Sequence, residues 1–181
     1  MALRNIRDDR DPVLRKISKE IKEVTPRIRT LAQDMLDTMY HANGVGLAAP
    51  QVGILKRIVV VDTGLEPEER DPHVFINPVI TMTEGSCNGT EGCLSVPGVF
   101  GYVDRPERIT LAYQDLEGNA KSLEAEGYFA RAICHEVDHL NGILFIDKPE
   151  FQEYDEEYGE EDEDSDAEER RESDKGTRAD G

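Results

Sequence analysis

Two histidines enclose a glutamate in the run His135-Glu136-Val137-Asp138-His139, and no other feature of the chain restricts its folding as tightly. Four residues along an α-helix turn about 400°, so both imidazoles leave one face, a turn apart. Held that way they can chelate one divalent metal, and the glutamate between them can act as general base on an activated water. The chain has only 4 His in total, so two of them placed around a glutamate fit chance poorly. The surroundings agree with a helix from Tyr128 to about Leu140. It is apolar on several sides (Phe129, Ala132, Ile133, Val137, Leu140), as a helix enclosed by sheets would be, and Asn141-Gly142 stops it.

A catalytic metal needs a third protein ligand and an open position. Zinc endopeptidases with this motif take theirs downstream, but here no His or Cys follows His139. Upstream, Cys93 lies among glycines in Glu91-Gly-Cys-Leu-Ser-Val-Pro-Gly98, an extended or looping segment. A thiolate there would complete a Cys-His-His site, its pKa lowered by the metal. The other cysteines, Cys87 and Cys134, suit small buried thiols. Cys134 adjoins His135 but points about 100° away around the helix. Three cysteines indicate a reduced, cytoplasmic chain rather than a disulfide scaffold.

Elsewhere the patterns predict a helix from Pro26 to Ala42, capped by Thr25, with an apolar stripe of Ile28, Leu31, Met35 and Met39. Arg57 to Asp62 reads as a buried strand, and Val74 to Met82 as another, interrupted at Asn77-Pro78. Ile109, Leu111 and Tyr113 alternate with polar or small residues, and Lys121 to Glu126 returns as the hairpin partner across the turn at 115–119. Strands grouped before a late helix predict an α+β fold. Antiparallel sheets would pack around a central C-terminal helix carrying the histidines, with one amphipathic helix near the N terminus.

Charge divides the chain. Of 39 acidic and 21 basic residues, 16 acidic and 4 basic lie from Glu150 onward. Such a run repels itself and buries too little apolar surface to offset ordering entropy. The expectation is a catalytic domain over 1–149 and an acidic, disordered tail over 150–181. Binding of DNA through a basic face is disfavoured. No stretch approaches the roughly 20 apolar residues of a membrane-spanning helix, and the first residues lack the apolar run of a signal peptide.

The segment Gly44-Val-Gly-Leu-Ala-Ala-Pro-Gln-Val-Gly53 superficially matches a dinucleotide fingerprint. It follows a helix instead of a strand, and Pro50 and Gly53 prevent a helix from opening after it, so that reading fails. It reads better as a substrate-facing loop. Gln51 then offers a neutral amide donor to a developing oxyanion, or is an ordinary turn residue.

Taken together, GVGLAAPQ, EGCLS and HEVDHLNG, in that order and with the early DPVLR segment, resemble the peptide deformylase family over about residues 5–148. The resemblance implies a metal-dependent hydrolase that removes the formyl group from the N-terminal formyl-methionine of nascent polypeptides, releasing formate. It implies Cys93, His135 and His139 as metal ligands, Glu136 as acid/base, and Gln51 with the Leu94 backbone N–H as oxyanion donors. Val45, Tyr128 and Ala132 become candidates for the methionine pocket, though plain core residues look the same in sequence. Gly44, Gly46 and Gly89 become candidates for backbone contact with the peptide. One divalent metal per chain is implied, ferrous iron first, with zinc, nickel and cobalt open to the same donors. A monomer is expected, and an acidic tail is poorly suited to docking on ribosomal RNA. Asp138 is expected to be a structural anion paired with Arg105. The alternatives are another metallopeptidase with the same helix motif, or a structural metal module closed by a fourth ligand.

Overall fold

In a computed structural model, residues 2–64, 66–148 and 151–153 are described. Helix α1 (Pro26–His41) precedes seven strands: β1 (Gly46–Ala48), β2 (Ile58–Val61), β3 (His73–Glu84), β4 (Cys87–Cys93), β5 (Val96–Arg105), β6 (Arg108–Gln114) and β7 (Ala120–Glu126). Helix α2 (Gly127–Leu140) follows, and a short strand β8 (Gln152–Glu153) ends the described chain.

The continuous apolar run of β2 is explained by what lies on either side of it. Side chains alternate faces along a strand. Ile58 and Val60 point into a core with Leu31, Met35, Leu36 and Met39 of α1, together with Leu47 and Ile76. Val59 and Val61 point the opposite way, into a core with Ala130, Ile133, Val137 and Leu140 of α2, joined by Phe75, Ile109 and Leu111. The strand belongs to an antiparallel five-stranded sheet ordered β1-β2-β3-β6-β7, with one helix against each face. A three-stranded antiparallel sheet, β4-β5-β8, carries a third core of Leu14, Val96, Val103, Leu144 and Phe145.

Several local expectations need correction. Pro26 does open α1, but Thr25 does not cap it with its hydroxyl. The Thr25 carbonyl accepts instead from the Ile28 and Arg29 amides. Asn77-Pro78 does not end its strand. Asn77 adopts a left-handed φ of 51°, and the β3–β6 register shifts between Ile76 and Val79, so the chain absorbs a bulge and continues. The Asn77 amide secures that bulge, accepting from Ile21 N and donating to Ile21 O, each at 2.8 Å. Cys87 is exposed rather than a buried thiol.

Phe151, Gln152 and Glu153 belong to the folded unit. Glu153 and Gln152 pair with Gly101 and Tyr102, and Phe151 packs against the third core. The disordered tail expected beyond them, from Tyr154, lies outside the described residues.

Candidate active site

One face of α2 is built for packing and the other for charge. Arg131, His135, Asp138 and His139 recur at helical spacing and fall within about a third of the helix circumference. That face meets the β4–β5 hairpin. On β4, Glu91 and Cys93 are two residues apart and therefore share a face.

Cys93, His135 and His139 offer one ligand atom each, and these atoms all lie within 4.8 Å of one another. The Cys93 Sγ is 3.3 Å from His139 Nε2. Ligands held at about 2.0–2.3 Å around a tetrahedral metal stand roughly 3.5 Å from each other, so this grouping fits a metal. Two further observations favour it. Burial pushes the His139 imidazole well below its usual pKa, which keeps the ring neutral with a lone pair to offer. His135 Nδ1 is engaged by Glu91 Oε2 at 2.8 Å, which leaves Nε2 to face the Cys93 sulfur. An outer carboxylate of this kind orients a ligating imidazole and raises its basicity. Cys134, buried in the apolar core, has its thiol pushed up to about 11 by that burial. It is not part of the group.

Glu91 is the residue of this cluster that motif reading passed over. It accepts from Arg105 Nε and Nη2 at 2.8 and 2.9 Å, from Arg131 Nη1 at 3.0 Å, and pairs with His135. Burial alone would raise its carboxyl pKa. The hydrogen bonds from Arg105 and His135 overcome that and hold it at about 2. Arg105 also reaches Asp138 Oδ2 at 2.5 Å, and Lys148 Nζ reaches the same oxygen at 2.8 Å. Asp138 thus sits in an ion-pair network with Arg105 and Lys148 and is not among the clustered ligand atoms. Arg131 ties that network to both strands by donating to the carbonyls of Cys87, Gly89 and Val103. The sequence held one cue to Glu91: alternation along a strand places it beside Cys93.

Glu136 projects to the other side of His135. It is 5% exposed, its Oε2 has no hydrogen-bond partner among the described residues, and burial raises its pKa to about 7. A carboxyl poised near neutrality can both take and return a proton. Gly46 of β1 lies directly against it, since a Cβ added at Gly46 would fall 2.4 Å from Glu136 Oε1. Gln51 sits on the short 3₁₀ turn Ala49–Val52 that follows β1. Its Oε1 accepts from Ala48 N at 2.8 Å. That turns Nε2 toward Cys93 Sγ at 3.6 Å and Ser95 Oγ at 3.2 Å. Ser95, fully buried, is a second partner missed in sequence.

These groups open onto a cleft of about 440 Å³, lined in part by Gly44, Val45, Gly46, Gln51, Leu94, Tyr128, Ala132 and Glu136. Its opposite wall is Val96 to Phe100 of β5. Of the residues expected to meet substrate, Gly89 alone stands outside the lining. It is occupied with Arg131, whose guanidinium would lie 2.9 Å from a Cβ at that position, and Thr90 and Glu91 line the cleft in its place.

Comparison with known proteins gives a consistent result. A family model described as polypeptide deformylase matches residues 3–154. The peptide deformylase of Lachnoclostridium phytofermentans is 55% identical over 148 residues, covering 82% of this chain and 90% of that protein. That of Caldicellulosiruptor bescii is 55% identical, covering 82% and 86%. Among solved structures, the Thermus thermophilus peptide deformylase has a TM-score of 0.77 at 49% identity, covering 81% of this chain and 85% of that one. A Synechococcus elongatus peptide deformylase in complex with actinonin has a TM-score of 0.77 at 46% identity, covering 79% and 78%.

Proposed function

Since the chain belongs to the peptide deformylase family and is a metal-dependent hydrolase that removes the N-terminal formyl group of nascent polypeptides, we propose that Cys93, His135 and His139 hold its metal and that Glu136, Gln51 and the Leu94 N–H carry the chemistry. The observation that supports this most is the convergence of one sulfur and two imidazoles within 4.8 Å, beside a buried carboxylate with a free oxygen.

A divalent metal in this donor set supplies Lewis acidity, making water a competent nucleophile at neutral pH and polarising the formyl carbonyl. Glu136 accepts a proton from the attacking water, and its pKa of about 7 suits it to return that proton to the departing amine. The C–N bond breaks, the α-amino group leaves neutral, and formate is released. Gln51 Nε2, oriented through its Ala48 bond, donates to the oxygen on which charge develops, together with the Leu94 N–H. Gly44 and Gly46 let the peptide backbone approach, while Val45, Tyr128 and Ala132 receive the methionine side chain. The glutamine needs no ionisation of its own, so the oxyanion donors stay intact across the pH range in which Glu136 titrates.

Ferrous iron is the metal assigned, with zinc, nickel and cobalt acceptable to the same ligands. Residues 1–149 are assigned as the catalytic domain, with the segment 151–153 packed onto it, and the acidic stretch that follows as an appendage. The enzyme is placed in the cytoplasm as a monomer acting on formyl-methionyl chains, its anionic C-terminal stretch poorly suited to docking on ribosomal RNA. Among the described residues no helix is long and apolar enough to cross a membrane.

Formate release from a formyl-methionyl peptide, measured with metal content, tests the assignment. Glu136→Ala should abolish turnover and keep the metal, whereas Cys93→Ala should lose both. An endopeptidase using another third ligand would keep its metal after Cys93→Ala. A structural metal module would release no formate and tolerate Glu136→Ala.

A further inference from the structure

The cleft wall formed by β5 has an unusual support. β4 pairs with β5 from Cys87↔Arg105 down to Gly92↔Phe100, and the register then jumps to Cys93↔Val96. The chain between Val96 and Phe100 is therefore a bulge, and those same residues line the cleft. Phe100 lies over Gly92, where an added Cβ would come 2.7 Å from its ring. Val96 roots one end of the wall in the third core, where Val99 also packs, but Phe100 at the other end is 55% exposed and does little to hold it. What grips the root of the bulge from its other edge is β8, through Gly101↔Glu153 and Tyr102↔Gln152.

Phe151 anchors that grip. A Cβ built on Gly101 would fall 2.1 Å from Phe151 Cε2, so the ring rests directly on the strand backbone, one residue beyond Phe100. The other side of the ring meets Phe145 edge-on, with centroids 5.5 Å apart at 88°, and Phe145 in turn packs 5.7 Å from the His135 ring. The segment is held to the body by the Phe151 N–H, which donates to Lys148 O at 3.0 Å. A residue at the threshold of the acidic stretch is thus wedged between the substrate wall and the aromatic shelf under a candidate metal ligand.

We propose that Phe151 is a positioning residue for substrate binding, clamping Gly101 so that the Val96–Phe100 wall is pre-formed when the formylated chain arrives. The inference rests on the deformylase reading of the cleft. It adds that the wall's rigidity comes from a residue outside all three sequence motifs, in a segment whose composition belongs to the tail. Without the ring, β5 keeps β4 on one edge only, and the wall must be ordered by the peptide itself at the expense of affinity.

The test uses the full chain, loaded with metal, and separates KM from kcat on a formyl-methionyl tripeptide. Phe151→Ala should raise KM about tenfold, the scale of re-ordering one wall on binding, while kcat stays within about twofold. Phe151→Leu should restore most of the KM. Gly101→Ala drives a methyl into the Phe151 ring and also within 2.7 Å of the Gln152 carbonyl, so it displaces β8 from the opposite side and should raise KM at least as much. Unchanged KM in folded Phe151→Ala would overturn the proposal. So would a loss confined to kcat and metal content, because that would make Phe151 a prop for His135 alone. If Phe151→Ala does not fold, the Gly101→Ala and Phe151→Leu kinetics decide. A parent protein that released no formate would sink the deformylase reading itself, an outcome distinct from an active parent whose KM ignores position 151.

Discussion

Replacing Gly46 by Ala would put a methyl carbon 2.4 Å from Glu136 Oε1 and 2.9 Å from its Cδ. Carbon and oxygen rest at about 3.3 Å or more, so roughly 1 Å of overlap must be relieved. The strand cannot easily retreat. Gly46 pairs with Val61 in the sheet, and all three residues of β1 are buried. Helix α2 cannot retreat either, because Ala132, Ile133 and Val137 pack in the core beside Glu136. The carboxylate must therefore swing. A misplacement of about 1 Å in a reacting group costs on the order of 100-fold in rate, while overpacking of this size costs about 1–3 kcal/mol of stability. Cys93, His135 and His139 lie outside the contact, so metal content should stay at the parent value. The assay is formate release under saturating substrate, alongside metal analysis and a melting curve. A Gly46→Ala enzyme that is folded, metal-loaded and within about threefold of the parent kcat would refute the claim that the close approach of β1 sets the position of the acid/base.

Three further outcomes follow from the buried network and the oxyanion donor. Glu91→Gln leaves Arg105 and Arg131 short of a counter-charge, so denaturant unfolding should show a loss of about 3–5 kcal/mol. Chelator competition should show a metal affinity lower by about 10–100-fold because His135 loses its carboxylate partner; unaltered affinity would remove Glu91 from the site. The Glu91 carboxyl is held at about 2 against an ordinary 4.5, and a depressed carboxyl stabilises the fold above its unfolded pKa. Its contribution, on the order of 3 kcal/mol, should be complete above about pH 5 and disappear as pH falls toward 2. The metal-free Glu91→Gln protein should lack that part of the acid transition, and equal acid sensitivity in both would count against it. Gln51→Leu should lower kcat by about 100-fold or more with KM little changed; a purely KM effect would recast Gln51 as a binding group.

Helical spacing made α2 legible, because two histidines and five apolar residues all obey one period. β2 was legible as a buried strand from Ile58 to Val61, although the reason, a helix on each face, is a tertiary fact. Thr25 shows where local signals stop, since a suitable capping residue in the right place leaves its hydroxyl unused and caps with its carbonyl. Asn77-Pro78 looked like a strand break because proline cannot donate to a ladder, but the left-handed asparagine turns the break into a bulge. In the candidate site, the three motifs named the residues that converge. The partners that organise them were hidden by distance along the chain: Glu91 meets His135 across 44 residues, and Gln51 meets Ser95 across 44. Phe151 was obscured differently, by the acidic composition of its neighbours. Cys87 was misjudged because its strand pairs with β5 at the exposed end, where no described residue buries the thiol.

The two-faced strand β2 also governs the order in which this protein can be made. Its Ile58 and Val60 find their helix already synthesised, but Val59 and Val61 wait for α2, which begins 66 residues later. At about 5–20 residues per second, that interval lasts roughly 3–13 s, during which one side of the growing sheet is bare and sticky. Cys93 likewise emerges without its two imidazole companions. Helix α2, the last α-helix among the described residues, therefore both closes the sheet and brings in the histidines. An enzyme that trims newborn chains would thus pass its own infancy incomplete, and it would become competent only when its hydrophobic interior is sealed.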